Sequence, residues 1–375
     1  MKRIPLALAL LAATALVLGM SACAPAAHGA PSSTGHPHAS AKPHPHPTQP
    51  AVPTVRVPVK CSGLFADAAA SALIDSPIKV HRDAASIPVN ITDITQRQYG
   101  SLHCIWGGDA QDSGYVADLQ LDITPDAKAG FVANLSGFAN ENPPVVTNSA
   151  GDQSVYGCDA TGGALNCVAN MLVGDYWVTA SLTNIGDSTV SEATANTRVQ
   201  QVLTTVASAL KNTTAGPAWV PPGSALPTFC SSNASTAQVN TALGVSDFAL
   251  VGDDQPETDA ASYAQLSGTY TQCAWGTGST TEPFTFLEVA MLKGGAWIVP
   301  ELPGQTNTEN YMLGTYTALT VPGATAAAGN CSLPANECEV ALSIGSLLVV
   351  VNLDDPSTAQ SSAALASIVA DIKAS

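Results

Sequence analysis

The chain has 375 residues, of which 46% are hydrophobic, 5% aromatic and only 11% charged, a globular composition long enough for about two domains. Thirteen Lys and Arg stand against 29 Asp and Glu, for a formal charge of −16, and the basic residues are scattered singly. Nucleic-acid affinity rests on clustered cations that release counterions from phosphates, so this distribution argues against a nucleic-acid partner.

Lys2 and Arg3 precede an uncharged, mainly apolar run, Ile4 to Gly19, and Met20-Ser21-Ala22 closes it with small residues before Cys23. This pattern predicts a signal peptide over residues 1–22. The apolar run is shorter than the ~20 residues a membrane span needs. Small residues directly before a Cys resemble the lipobox of bacterial lipoproteins, with Met20 where Leu is usual. That resemblance implies cleavage before Cys23 and diacylation of its sulfur, which would hold the protein at the extracytoplasmic face of the cell membrane. Two acyl chains give the stable attachment that a single chain does not.

Residues 23–58 read as a tether. Pro31, Pro37, Pro43, Pro45, Pro47, Pro50, Pro53 and Pro58 punctuate it and large apolar side chains are scarce, so it is expected to stay extended and solvated. It also holds five of the seven histidines. Among them His36, His38, His44 and His46 form a weak candidate site for Cu(II), Ni(II) or Zn(II), weighed against a plain spacer with no second shell to fix the rings.

Eight cysteines follow Cys23, an even number that predicts disulfides in an exported chain. Cys61 and Cys104 are 43 residues apart, as are Cys230 and Cys273. The second member of each pair opens the same pattern, Cys104-Ile105-Trp106-Gly107 and Cys273-Ala274-Trp275-Gly276. Cys158 and Cys167 then match Cys331 and Cys338, each followed seven residues later by a glycine, Gly174 or Gly345. Two copies of one domain explain this economically, over residues 59–211 and 229–375. Pairing within each copy leaves three connectivities per copy. Those favoured are Cys61–Cys104, Cys158–Cys167, Cys230–Cys273 and Cys331–Cys338. In the chain-entropy account the long loops stabilise by about 4 kcal/mol and the short ones by about 2.7 kcal/mol. C-x2-C spacing is absent, which makes zinc ligation by these cysteines unattractive.

The elements repeat in order. In the first copy Phe65, Ala68, Ala69, Ala72 and Leu73 line one helical face; in the second, Val239 to Leu243 ends a helix at Gly244. A strand carrying Cys-x-Trp follows, and then another, Val116 to Ile123 or Phe284 to Leu292. Thr124-Pro125-Asp126 reads as a cap with Pro in the first helical turn, continued by Phe131, Leu135 and Phe138; its counterpart is a weaker pattern at Thr308 to Leu313. Next comes a hairpin, Cys167 to Val173 with Tyr176 to Leu182, matched by Cys338 to Ile344 with Leu347 to Leu353. Each copy closes with an amphipathic helix, on Val199, Val202, Leu203, Val206 and Leu210 or on Leu365, Ile368, Val369 and Ile372. The expected fold is therefore α+β: two tandem duplicated domains, each an antiparallel sheet covered by helices and reinforced by disulfides. Residues 212–228, with Pro217, Pro221, Pro222 and Pro227, read as the linker, and Trp219 within it as a packing residue.

Signal, lipobox, low-complexity tether and Cys-helix followed by Cys-x-Trp together resemble surface lipoproteins of actinobacteria whose domain has no assigned function. The chain is also similar, more distantly, to the two-disulfide extracellular sensor domains of mycobacterial serine/threonine kinases and to the Mog1/PsbP-like α+β fold. The resemblance covers residues 61–211 and 230–373 through eight cysteines and two tryptophans. It carries structural residues and no catalytic set, and implies binding or sensing at the envelope.

The residues supply no catalytic constellation. Only His81 and His103 lie in the folded part, and G-x-S-x-G is absent. Ser76-Pro77-Ile78-Lys79 matches S-x-x-K without its companion motifs, and Pro77 opposes the helical turn it needs. Asp253, Asp254, Glu257 and Asp259 read as a solvated acidic loop in preference to a Ca2+ site, as do Asp109 and Asp112. Trp106 and Trp275 are expected to pack on their disulfides. The resulting expectation is a lipid-anchored envelope protein without catalytic activity or cofactor, binding an unknown small molecule or protein. The alternative is a passive scaffold or assembly partner of an envelope complex, followed by a metal binder acting through the tether.

Overall fold

Cysteine, proline and glycine positions set the chain's turning points in a computed structural model. It describes residues 52–375 except 83–86, 111–115, 139–145, 149, 160–164, 186–189, 232, 245, 247, 253–267, 277–285, 308–313, 333–336, 355–357 and 375. Cys23, the four tether histidines and the acidic loop from Asp253 to Asp259 lie outside the described residues. So does the weak helical pattern at Thr308 to Leu313.

The first half opens with α1 (Cys61–Leu64) and α2 (Asp67–Ile74). After β1 (Val80–Arg82) comes α3 (Ile91–Tyr99), then β2 (Leu102–Ala110), β3 (Val116–Thr124) and α4 (Lys128–Phe138). It continues through β4 (Val146–Asn148), β5 (Gln153–Asp159), β6 (Leu165–Val173) and β7 (Tyr176–Ile185), and ends in α5 (Glu192–Leu210). The second half contains α6 (Asn233–Leu243), β8 (Ala249–Gly252), β9 (Tyr270–Gly276) and β10 (Phe286–Leu292). A 3-10 segment at Gly295–Glu301 and a small ribbon of β11 (Thr306–Asn307) with β12 (Gly314–Thr315) follow. The half closes with β13 (Thr317–Leu319), β14 (Ala326–Ser332), β15 (Glu337–Ile344), β16 (Leu347–Asp354) and α7 (Thr358–Ala374).

Both halves build a seven-stranded antiparallel sheet, in the orders β1-β2-β3-β7-β6-β5-β4 and β8-β9-β10-β16-β15-β14-β13. Element by element the two orders coincide. The α+β class with two antiparallel sheets and helices is as the residue pattern predicts.

All four favoured cysteine pairs are joined. Cys158 and Cys167 are direct cross-strand partners on β5 and β6, and Cys331 and Cys338 on β14 and β15. The long-range bonds pin the N-terminal end of each half to its Cys-x-Trp strand. The inner faces are apolar and buried. In the first, Leu119, Leu121, Met171 and Val178 pack against Leu73, Val199, Val202 and Val206 of α2 and α5. In the second, Val289, Met291, Val349 and Val351 pack against Val239, Leu365, Ile368 and Val369 of α6 and α7. Alternation along each strand puts these side chains on one face, and the 3.6-residue period does the same for the helices. At both hairpins the first loop position is a left-handed glycine, Gly174 (φ 59°) and Gly345 (φ 61°), a backbone that a side chain disfavours.

One expectation needs correction. Thr124-Pro125-Asp126 does not cap α4: Thr124 still belongs to β3, Asp126 adopts a left-handed backbone (φ 59°) and the helix starts at Lys128. Asp126 instead pairs with Arg56 at 2.5 Å. In the second half, the element after β10 in the place of α4 is the 3-10 segment with Pro300 inside it. Such a turn covers less of the sheet than an eleven-residue helix, and the remaining cover comes from elsewhere.

Candidate functional site

That cover is α3, contributed by the first half. Asn90 caps it by accepting from the backbone N–H of Asp93 (2.8 Å), and Gly100 (φ 75°) ends it in the left-handed conformation. Its buried side chain Ile94, with Val89 just before the helix, joins Ala290, Leu292, Ile298, Val299, Leu348 and Val350 in one apolar cluster. Polar groups stitch the rim. Gln98 Nε2 donates to Lys293 O at 2.8 Å, Tyr99 Oη is hydrogen-bonded to Thr269 Oγ1, and Tyr316 Oη lies 2.7 Å from Val89 O. Residues 49–375 accordingly form one compact unit, and the face between the halves is a packed junction.

A polar row runs along the edge of this junction. Successive cross-strand partners place Glu288, Asn352, Glu339 and Asn330 side by side on β10, β16, β15 and β14. Asn352 Nδ2 donates to Glu288 Oε1 at 3.0 Å, and Tyr316 Oη is hydrogen-bonded to Glu339 Oε1. Glu339 is only 8% exposed. Burial pushes its carboxyl up to about 7, against the opposing pull of the Tyr316 hydrogen bond and with help from the negative Glu288. Burial raises the Tyr316 phenol further, and neighbouring Glu339 adds to it.

Two hollows occupy matching places at the hairpin ends of the halves. The first, about 330 Å³, lies where the β6–β7 hairpin meets the end of α5 and the linker, among Asp126, Asp152, Asp175, Tyr176, Lys211 and Thr213. Two of its carboxylates already serve the fold: Asp126 pairs with Arg56, and Asp152 accepts from the backbone N–H of Gly174 at 2.7 Å. The second, about 300 Å³, lies at the β15–β16 hairpin among Pro227, Lys293, Ile344, Ser346, Leu347 and Ile372. Here the linker packs tightly, since a Cβ on Gly294 (φ 79°) would sit 2.7 Å from Pro221. The first lining is acidic. The second carries a lysine and no carboxylate.

The remaining sequence candidates separate cleanly. Trp106 and Trp275 are fully buried, each edge-on to a phenylalanine, Phe65 or Phe229, and they belong to the cores as expected. His103 Nδ1 is 2.6 Å from Asp122 Oδ1 on the outer face of the first sheet, and His81, the cross-strand partner of Trp106, sets its ring 5.8 Å from the indole. Ser76 and Lys79 share no helical turn. Trp219 is half-buried in the irregular linker. Among the described residues no group of three His, Cys, Asp or Glu is placed to hold a metal ion. No described helix is long and apolar enough to cross a membrane. The residue pattern does not announce the junction or its Tyr316–Glu339 pair, although Glu339 between Cys338 and the apolar run Val340-Ala341-Leu342 is a visible signal. Neither α3 nor the hollows were foreseen, but Asn90, Asp93 and Gly100 spell the helix's two ends. Compared with family profiles, with characterised proteins and with solved structures, the chain matches none.

Proposed function

We propose that this chain is a lipid-anchored binding or sensor protein of the cell envelope, held by Cys23 and a Pro/His-rich tether and built of two tandem domains of Mog1/PsbP-like kind. The observation that supports a binding role is the recurrence of a hollow at the same hairpin end of both halves with linings of opposite charge. Concave sites with a few convergent polar groups are where small ligands settle. The acidic hollow suits a cationic group, an amine or a basic peptide side chain, and the one beside Lys293 suits an anionic group. Nothing in this reading requires bond-breaking chemistry.

The test is thermal unfolding of the oxidised full chain against polyamines, basic peptides, phosphates, cell-wall fragments, anionic lipids and divalent metals. A ligand present at 100 times its dissociation constant adds about 2.7 kcal/mol to stability. A stabilising shift by a polyamine or basic peptide that Asp175→Ala removes supports the first hollow as the site. No shift from any compound turns the reading toward a scaffold. The anchor is tested separately: Cys23→Ser should move the protein from the membrane to the soluble fraction.

A further inference from the structure

Tyr316 bridges the two halves, and a count of its protons says in what state. Its oxygen lies within hydrogen-bonding reach of two acceptors by ordinary chemistry, the carbonyl of Val89 at 2.7 Å and the Glu339 carboxyl. A phenol has one proton to give, and a backbone carbonyl can only accept. Were Glu339 ionised, it and Val89 O would compete for that single proton. The loser would be a buried acceptor facing another oxygen, which costs the desolvation of an unpaired group. Were Glu339 protonated, its own O–H would donate to Tyr316, Tyr316 would donate to Val89, and every lone pair in contact would meet a hydrogen.

We propose that the junction between the halves is a proton-gated latch: protonated Glu339 donates to Tyr316, Tyr316 donates to Val89, and release of that one proton to water breaks the chain of hydrogen bonds. Burial and Glu288 act in the same direction. Tyr316 and Glu339 are both buried, at 1% and 8% exposed. Glu288, along the same cross-strand row, opposes a second negative charge. The cover helix α3 carries Asp93, engaged by Asn90 at the helix start, and Arg97, while the 3-10 segment carries the exposed Glu301.

The direction with pH follows from linkage. The closed junction holds a proton up to about 7, whereas the opened one releases it near the ordinary 4.5. Opening is therefore least favourable below pH 4.5, grows about tenfold per pH unit from there toward 7, and is level above.

Native-state hydrogen exchange on the oxidised full chain tests this, with the amides of Ile91–Tyr99 followed between pH 4 and 8. Glu339→Gln serves as the reference at each pH, because its amide N–H2 donates to Tyr316 at every pH. Protection in the wild type relative to Glu339→Gln should fall by on the order of a hundredfold across the range and then level. Parallel profiles in the two proteins overturn the latch. Should Glu339→Gln fail to fold, 13C-observed titration of glutamate-labelled wild type decides alone: a side-chain carboxyl titrating near 7 supports the proposal, and all of them titrating below 5.5 overturns it.

Discussion

The outer faces of the two sheets share strand order and register but not chemistry. On the first, His103, Asp122, Thr179 and Asn170 form one cross-strand row. On the second, the row in the same register is Gln272, Ala290, Val350 and Ala341, with Ala328 beyond. Ala290, Val350, Ala341 and Ala328 are at most 2% exposed. The first face is covered by α4 around Trp177, Leu172 and Val155, and beyond that cover it pairs its charges, His103 with Asp122. The second meets α3 and the 3-10 segment and has lost them. Two sheets of one strand order thus share an apolar inner face and differ on the outer one, where they differ in what they touch.

Exchanging residues between the faces tests this reading. Ala290→Asp, the residue of the first sheet placed in the second, buries a carboxylate beneath α3 without a partner. It should cost about 3–5 kcal/mol, read as a lowered urea midpoint at unchanged slope. Removing the long disulfides separately, as Cys61→Ser with Cys104→Ser and as Cys230→Ser with Cys273→Ser, should cost about 2–4 kcal/mol each time. A large inequality between the two losses would mean that the halves do not share one framework.

The reverse exchange is gentler. Asp122→Ala breaks a pair in which both side chains are 20% exposed, and should cost about 0.5–1 kcal/mol, less at high salt. Smallest of all is Val168→Glu. Val168 occupies the register of Glu339 but is 47% exposed, so the change should stay within about 0.5 kcal/mol. A cost of several kcal/mol there would show that the cover of the first outer face extends to Val168.

The strands, the hairpins, the terminal helices and the disulfide pairing were legible because each depends on neighbours in sequence or on a repeated spacing. Even the difference between the faces is written in the strands. Thr179, Ser181 and Thr183 alternate with apolar residues along β7, whereas Leu347 to Val351 in β16 is unbroken, the mark of a strand buried on both sides. What the run cannot reveal is its cover, because α3 lies in the other half of the chain and meets it only in the folded protein. The hollows were hidden for a related reason. Both hairpins are plain from Gly174 and Gly345, but the cavity beside each appears only once Lys211 to Ala215, or Gly223 to Pro227, folds back over the end of the sheet.

The placement of α3 also bears on the order in which the protein can be made. Chains emerge N-terminus first and fold largely domain by domain, and sheets with an uncovered apolar face are the species that aggregate. Here the cover for Ala290, Leu292, Leu348 and Val350 is delivered by residues 91–99, well before the strands that need it. The later sheet therefore emerges beside its partner surface. The earlier sheet carries its own cover in α4, which packs on Trp177, and the rest of the corresponding row is polar.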